Sequence, residues 1–283
     1  MAELDRLARD FHWCREDHLS LQDGVWRARQ SGEVSYPENV RDLCHAREDD
    51  SYWFQHRSRV LCGLAQHLGF PPAIWDIGAG NGSVSRAFQD AGIEAVAVEP
   101  SAAGAANAAA RGVRSVLCAK LEDLALPAGC LPAAGCFDVI EHIEAPSAFL
   151  AEVARILKPG GLFLVTVPAM PALWSEFDDV SGHFRRYTRR GLDASLAEHE
   201  FRRVISEYLM CCLVLPVLLG RVVPYRLGRR MPPEQCWSAL SAQLKPRQGL
   251  ADRLISTLLK LETGWGRFLP CGTSVVGVYA KAG

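Results

Sequence analysis

Short apolar runs alternate with amphipathic stretches along most of the chain. Seven apolar runs predict strands, at residues 73–78, 93–100, 113–120, 131–140, 162–168, 202–212 and 273–282. Apolar residues recur at helical spacing in the stretches between them, covering 83–92, 101–112, 145–161 and 188–201. Strands that alternate with helices in this way predict an α/β fold, with a parallel sheet and helices on both faces.

Two parts of the chain fall outside this alternation. Residues 1–50 are polar and mixed and form an N-terminal extension, and residues 212–270 form an insertion rich in Leu, Pro and Arg. The core is therefore expected to comprise residues 51–211 and 271–283, beginning with a helix over 49–68. The insertion has helical spacing and suggests a cap over a pocket, with a dimer contact as the alternative.

One apolar stretch, LMCCLVLPVLLG at 209–220, raises the question of a membrane. It is too short to span, because a spanning helix needs about 20 apolar residues. A strand end followed by a buried helix is the favoured interpretation. A lid over an apolar substrate, or weak membrane contact through 209–227, remains the alternative.

Composition narrows the class of protein. The chain has 283 residues, 49% hydrophobic and 22% charged, with a net charge of −1 and ten scattered cysteines without a CxxC pair. The charge balance and the lack of a basic stripe argue against nucleic acid as a partner. The cysteine pattern, and a charged N-terminus without an apolar segment, favour a cytoplasmic protein without disulfides. A monomer or homodimer is expected. Cys14 and His18 lack a second ligand pair, so zinc is not expected there.

Candidate chemistry begins at WDIGAGNGSVS, residues 75–85. Gly78, Gly80 and Gly82 follow a strand and open a helix, an arrangement that lets a ligand approach the backbone. Glu99 ends the next strand and can accept hydrogen bonds from two ribose hydroxyls. This much fits NAD and adenosyl ligands alike, although a dinucleotide fingerprint would place glycine at 83, where this chain has serine.

From this loop onward the chain resembles the class I S-adenosylmethionine-dependent methyltransferases, in their quinone-biosynthesis and small-molecule branch. The resemblance is carried by DIGAGNG at 76–82, by Glu99 and by FDVIEHIEAPSAFLAEVARILKPGGLFLVTVP at 137–168. It covers about residues 50–211 and the final strand. It implies a doubly wound, Rossmann-like sheet of seven mostly parallel strands with an antiparallel last strand. It also implies S-adenosylmethionine as the cofactor.

The same resemblance assigns cofactor contacts position by position. Gly78 and Gly80 would pass beneath the methionyl part, with Asp76 fixing the loop or the cofactor's amino group, and Glu99 would hold the ribose. Phe137 would lie beside the sulfonium, and Arg57 matches a cofactor-binding arginine. Lys120 stands where the family usually has an acid for the adenine, so Leu121 or Glu122 is expected to serve instead.

The methyl acceptor should lie beyond strands four and five. Asp138, Trp174, Phe177 and Tyr187 are candidate substrate contacts, since aromatic and titratable residues gather on this loop. His183 and His142 are candidate general bases, with Glu141 beside them, although both histidines could be purely structural. The arginines at 185 and 186 could anchor the loop or clamp an acidic acceptor, and an anchor is favoured. No metal is expected, because Glu141, His142 and Glu144 cannot all face one ion.

These observations predict methyl transfer to a small molecule, with oxygen acceptors favoured over nitrogen and carbon. Two alternatives stay open. One is a lipid or quinone methyltransferase at a membrane surface, suggested by the apolar insertion. The other is a regulatory protein that binds S-adenosylmethionine without catalysis.

Overall fold

A nine-stranded sheet forms the centre of the protein, in the order β1-β2-β5-β4-β3-β6-β7-β9-β8. The structure is a computed structural model that describes residues 19–28, 45, 47–244, 250–265 and 269–283. Cys14 and His18 therefore lie outside the described residues. The strands are β1 (Leu19–Gln22), β2 (Val25–Ala28), β3 (Ala73–Ile77), β4 (Glu94–Val98), β5 (Ser115–Cys118), β6 (Leu131–Phe137), β7 (Leu157–Pro168), β8 (Phe201–Leu209) and β9 (Ser274–Lys281).

The helices cover both faces of this sheet. They are α1 (Tyr52–His67), α2 (Ser83–Asp90), α3 (Ala102–Ala110), α4 (Pro146–Ile156), α5 (Glu176–Ser181) and α6 (Arg189–Ala197), followed by α7 (Val214–Val217), α8 (Val223–Arg226), α9 (Pro233–Leu244) and α10 (Leu250–Trp265). Neighbouring residues of β3 point to opposite faces: Ile74 packs with α1 and α2, and Trp75 packs on the side of α4 and α6. The doubly wound arrangement predicted from the sequence is confirmed.

The predicted number of seven strands is wrong, because the N-terminal extension contributes a hairpin. β1 and β2 are antiparallel, and β2 adds to the sheet edge by pairing parallel to β5. Val25 is buried there against Ala97 and the alanines of α3. One buried residue in each strand, Leu19 and Val25, leaves little periodicity to detect, which is why the sequence indicated only a polar extension. β9 runs antiparallel to both β7 and β8, as expected for the last strand.

One element boundary and one buried helix face also differ from expectation. α4 ends at Ile156, and the KPGG segment that follows is already part of β7. In the first helix, helical spacing predicts an apolar stripe at Trp53, His56, Val60, Leu64 and Leu68, but the buried face of α1 is rotated from that stripe. The residues buried are Phe54, His56, Arg57, Leu61 and Ala65.

Residues 212–270 leave the sheet after β8, and their described part is helical. A short 3-10 turn (Cys211–Leu213) leads into α7, a π-helical turn (Leu218–Val222) and α8. α10 is tied back to the core where Leu259 is buried and where the Glu262 carboxylate accepts a hydrogen bond from the Met210 amide. None of the described helices combines the length and apolar character needed to cross a bilayer.

Candidate active site

A large cavity of about 1060 Å³ opens at the carboxyl edge of the parallel strands. The loops after β3, β4, β5 and β6 form its floor, α1 forms one wall, and residues of the 212–270 insertion form another. Ligands of doubly wound sheets bind at this edge. The cavity is at the upper end of the ~300–1,000 Å³ range of small-molecule sites, which leaves room for two ligands side by side.

The glycine loop forms the floor at the tip of β3. Gly78 has φ of 76° and Gly80 has φ of 57°, a left-handed region that side chains disfavour. A Cβ at Gly78 would lie 2.6 Å from Cγ2 of Val139, so a side chain is excluded by packing as well. A Cβ at Gly80 would meet no atom of the described protein within 4 Å, because that position faces the open cavity. Backbone at Gly80 can therefore touch a ligand directly.

Glu99 connects this loop to the next strand. Its Oε2 accepts from the Gly80 amide and its Oε1 accepts from the Ser101 amide, each at 2.9 Å. The residue is only 6% exposed and lines the cavity. A carboxylate that lines the cavity is the type of acceptor that binds the hydroxyls of a ribose, and the ribose contact stays a prediction. The two amide hydrogen bonds give Glu99 a structural role as well, because they hold the loop in shape.

Asp76 lies beneath the loop and is buried. Its Oδ2 accepts from the Ser85 hydroxyl at 2.6 Å, which ties the loop to the first turn of α2. Its Oδ1 has no hydrogen-bond partner among the described residues. Burial raises the pKa of Asp76 to about 6. An open acceptor of this kind suits a cationic ligand group, such as the amino group of an amino acid.

The remaining predicted cofactor residues line the same cavity. Leu121 is buried at the end of the β5 loop, with Lys120 and Glu122 on either side of it. Phe137 ends β6 and packs against Phe88 with 6.0 Å between ring centroids. An open backbone at Gly80, the carboxylates of Asp76 and Glu99, and apolar side chains at 121 and 137 together fit an adenosyl ligand carrying an amino acid.

Arg57 lies between the two halves of the cavity, the cofactor half at the glycine loop and the acceptor half beyond β6. It forms an ion pair with Asp138, and its guanidinium lies 4.8 Å from the Trp53 ring centroid and 5.2 Å from that of Phe54. Asp138 follows β6 in a left-handed conformation, with φ of 58°. That uncommon geometry turns its carboxylate toward α1. The sequence assigned Arg57 to the cofactor and Asp138 to the acceptor, and the structure brings the two into contact.

The buried carboxylate of Asp178 holds His183 in place, a pairing that the sequence did not predict. Asp178, in α5, accepts from His183 Nδ1 at 2.9 Å and from Arg186 Nε at 2.7 Å, and its other oxygen accepts from the Ser175 amide. Burial alone would raise the pKa of Asp178, but His183 and Arg186 together hold it below its ordinary value. The fixed imidazole lines the cavity. The serine three residues before Asp178 forms a capping box, the signal that could have identified this carboxylate.

His142 and Glu141 lie next to His183. The two imidazole rings meet edge to face with 4.8 Å between centroids. Burial, with help from His183, lowers the pKa of His142 to about 4, and burial beside Asp138 raises the pKa of Glu141 well above its ordinary value. His142 is therefore neutral but a weak base at pH 7. Glu141, His142 and His183 each have one ligand atom within 4.8 Å of those of the other two, so this cluster could hold a divalent cation. The third ligand is His183 and not Glu144, the residue that the sequence analysis considered.

The predicted acceptor residues divide into two groups. Asp138 and Phe177 line the cavity, whereas Trp174 and Tyr187 do not. The Trp174 indole donates to Asp179 at 2.9 Å, and Tyr187 is buried, with its backbone bridged to Ala169. Both stabilise the loop. Arg186 likewise serves as an anchor through Asp178, as favoured from the sequence, and Arg185 donates to the Glu144 carbonyl at 2.5 Å.

Comparison with known proteins identifies a methyltransferase domain in this chain. Residues 75–165 match the methyltransferase domain family. A probable S-adenosylmethionine-dependent methyltransferase of Mycolicibacterium smegmatis is 30% identical over 121 residues, or 42% of this chain and 47% of that protein. A ubiquinone biosynthesis O-methyltransferase of Xanthomonas oryzae pv. oryzae is 31% identical over 109 residues, or 36% of this chain and 46% of that protein. The chain thus matches about half the length of these relatives.

A solved structure extends the likeness of the fold beyond the matched domain. An S-adenosylmethionine-dependent methyltransferase from Thermotoga maritima superposes with a TM-score of 0.52 at 18% identity, covering 87% of this chain and 99% of that one. At this identity the match concerns the fold alone. Residues 75–165, which carry the glycine loop and Glu99, match a methyltransferase domain and are similar to class I S-adenosylmethionine-dependent methyltransferases, which supports S-adenosylmethionine as the cofactor.

Proposed function

We propose that this protein transfers a methyl group from S-adenosylmethionine to an oxygen of a small-molecule acceptor. The observation that supports this proposal is the Asp178–His183 pair, which lines the same cavity as the cofactor loop. S-adenosylmethionine supplies, when bound, an electrophilic methyl group on a sulfonium. The chain's own task is to position a nucleophile beside it and to take the nucleophile's proton.

His183 is the group best placed to take that proton. Its Nδ1 is occupied by Asp178, which leaves Nε2 as the proton acceptor. The ionised Asp178 fixes the ring and stabilises the imidazolium that forms when an acceptor hydroxyl gives up its proton. His142 packs on the same ring and restricts its rotation. A base of this kind favours hydroxyl acceptors, in agreement with the O-methyltransferase name among the relatives.

The wall opposite the cofactor loop suggests the class of acceptor. Leu213, Pro216, Val217 and Ile255 of the insertion line the cavity. An apolar cap of this composition would exclude water and accommodate an aromatic or other apolar body.

The test is a labelled-methyl transfer assay with a panel of phenols and other hydroxylated aromatics. His183→Ala should lower turnover by about 10²- to 10⁴-fold while leaving the affinity for S-adenosylhomocysteine unchanged. His199→Ala is the matched control, because His199 bonds Ser147 away from the cavity and should keep full activity. A loss below tenfold in His183→Ala would remove this residue from the role of base. Cofactor binding without transfer to any acceptor would favour the non-catalytic alternative.

One observation favours a lipid or quinone acceptor as the second candidate. Leu215, Leu219 and Leu227 on the outer side of the insertion are 60%, 59% and 68% exposed. An apolar surface of this kind suits contact with a membrane interface. Co-sedimentation with phosphatidylcholine vesicles that is lost in a Leu215→Ser, Leu219→Ser double variant would support this candidate, and no sedimentation of the parent would reject it.

A further inference from the structure

The insertion brings a guanidinium into the acceptor half of the cavity. Arg221 belongs to the π-helical turn Leu218–Val222, and it lines the cavity together with Gly220 of the same turn and Val217 of α7. π-helical turns recur at functional sites because they shift side chains out of the regular helical register. Arg221 is the cationic residue that the described part of the insertion contributes to this cavity.

The surroundings of Arg221 hold its guanidinium in place. Its guanidinium lies 4.2 Å from the centroid of the Phe177 ring, a cation–π contact that orients the planar group. Burial, with the like charge of Arg186, lowers the pKa of Arg221 to about 10, so it remains charged at neutral pH. Arg186 and Asp178 act on Arg221 with opposite charges, so these three groups together carry one net positive charge.

The other charges of the cavity are arranged differently. Arg57 is matched by Asp138, and Asp76 and Glu99 face the cofactor loop. Arg186 and Arg221 lie instead on the side of α5 and the insertion. Arg186 is next to the proposed base, because Asp178 bonds both His183 and Arg186.

We infer that Arg221 forms an anion subsite, and that the acceptor carries a carboxylate in addition to the group that is methylated. A guanidinium binds a carboxylate through two parallel N–H···O bonds, which fixes orientation as well as position. The carboxylate would lie against Arg221, the apolar body between Phe177 and the insertion, and the hydroxyl toward His183. This inference rests on the proposed function for the identity of the acceptor, whereas the subsite itself can be tested without turnover.

The experiment compares matched ligands on protein saturated with S-adenosylhomocysteine. A panel of aromatic carboxylates and their primary amides, such as 2-naphthoate and 2-naphthamide, is titrated calorimetrically into the parent, Arg221→Gln, Arg221→Lys and Arg229→Gln. Each pair differs in charge but hardly in shape. Arg229 is exposed, so its variant controls for a general loss of positive charge.

The parent and Arg229→Gln should bind carboxylates about ten- to a hundredfold more tightly than the matched amides. Arg221→Gln should lose that preference while its affinity for S-adenosylhomocysteine and its melting temperature stay unchanged. Arg221→Lys, which keeps the charge without the planar fork, should retain part of it. No carboxylate preference in the parent across the panel, or an undiminished preference in Arg221→Gln, would overturn the subsite.

The proposed function fails on a different result. Carboxylate preference that depends on Arg221, without methyl transfer to any hydroxylated acceptor, would leave the subsite standing and reject the proposed transfer to oxygen. Transfer to neutral phenols that is unaffected in Arg221→Gln would do the reverse.

Discussion

Replacing Glu99 by glutamine perturbs the cofactor half of the cavity with almost no change in size. In the parent, the carboxylate accepts from two backbone amides, Gly80 and Ser101, at 2.9 Å each. Glutamine has one oxygen acceptor and one NH₂ donor. Whichever way the amide is turned, one backbone N–H faces another donor, and the acceptor available to ribose hydroxyls is no longer charged.

The size of the effect follows from these lost hydrogen bonds. One unsatisfied buried amide costs about 1–3 kcal/mol, so the free energy of unfolding should fall by that amount. Hydrogen bonds to a charged group contribute about 1.5–3 kcal/mol, and losing that charge at the ribose should raise the Kd for S-adenosylhomocysteine about 10- to 150-fold. Little discount for solvent applies, because Glu99 is 6% exposed.

Calorimetric titration with S-adenosylhomocysteine and urea unfolding measure the two effects separately. Glu198→Gln is the matched control, since Glu198 is exposed at the end of α6 and does not line the cavity, and the affinity of this variant should change less than threefold, about 0.6 kcal/mol. Glu99→Gln with parental affinity would refute the ribose assignment. Parental affinity with reduced stability would leave Glu99 as a structural tie of the loop only.

Three further predictions concern pH and metals. Because burial raises the pKa of Asp76 to about 6, S-adenosylhomocysteine should bind more weakly as pH falls through 6, and Asp76→Asn should flatten that dependence in titrations from pH 5 to 8. Burial lowers the pKa of His56 to about 4, so the unfolded state binds the proton first, and stability should fall between pH 6.5 and 4 by up to about 3 kcal/mol. His56→Leu should lose that slope in acid urea unfolding. Dialysis against EDTA should leave methyl transfer unchanged if His183 acts as base, and a loss restored by Mg²⁺ would instead assign the Glu141–His142–His183 cluster to a cation.

The sequence predicts those parts of the fold that have a strong local pattern of apolar residues. β3, β4, β6 and β7 are nearly continuous apolar runs, as expected for strands buried on both faces. The β1–β2 hairpin could not be found in this way, because an edge hairpin exposes most of its side chains. Its position depends on pairing with β5, a long-range contact that local pattern does not contain.

The cofactor half of the site was predictable for a similar reason, since it depends on backbone at strand ends. Gly80 and Glu99 are brought together by the adjacency of β3 and β4, which the alternation of elements already implies. The acceptor half depends on side chains from separate parts of the chain. Arg221 and Phe177 meet only because the insertion folds back over α5, and nothing in the local sequence of either residue indicates that contact.

Because the two halves of the cavity are built from different elements, substitutions can alter acceptor binding without altering cofactor binding. The cofactor half is built from loops whose geometry the sheet determines, so substitutions there disturb folding and binding together, as expected for Glu99. The acceptor half is built from α5 and the insertion, which add side chains to the cavity without carrying a strand of the sheet. The Arg57–Asp138 ion pair connects the two halves of the cavity. Arg57 lies on α1, on the side of the cofactor loop, and Asp138 follows β6, on the side proposed for the acceptor. Changes in acceptor preference should therefore arise mainly in the insertion, and changes that couple acceptor preference to cofactor affinity should arise at this pair.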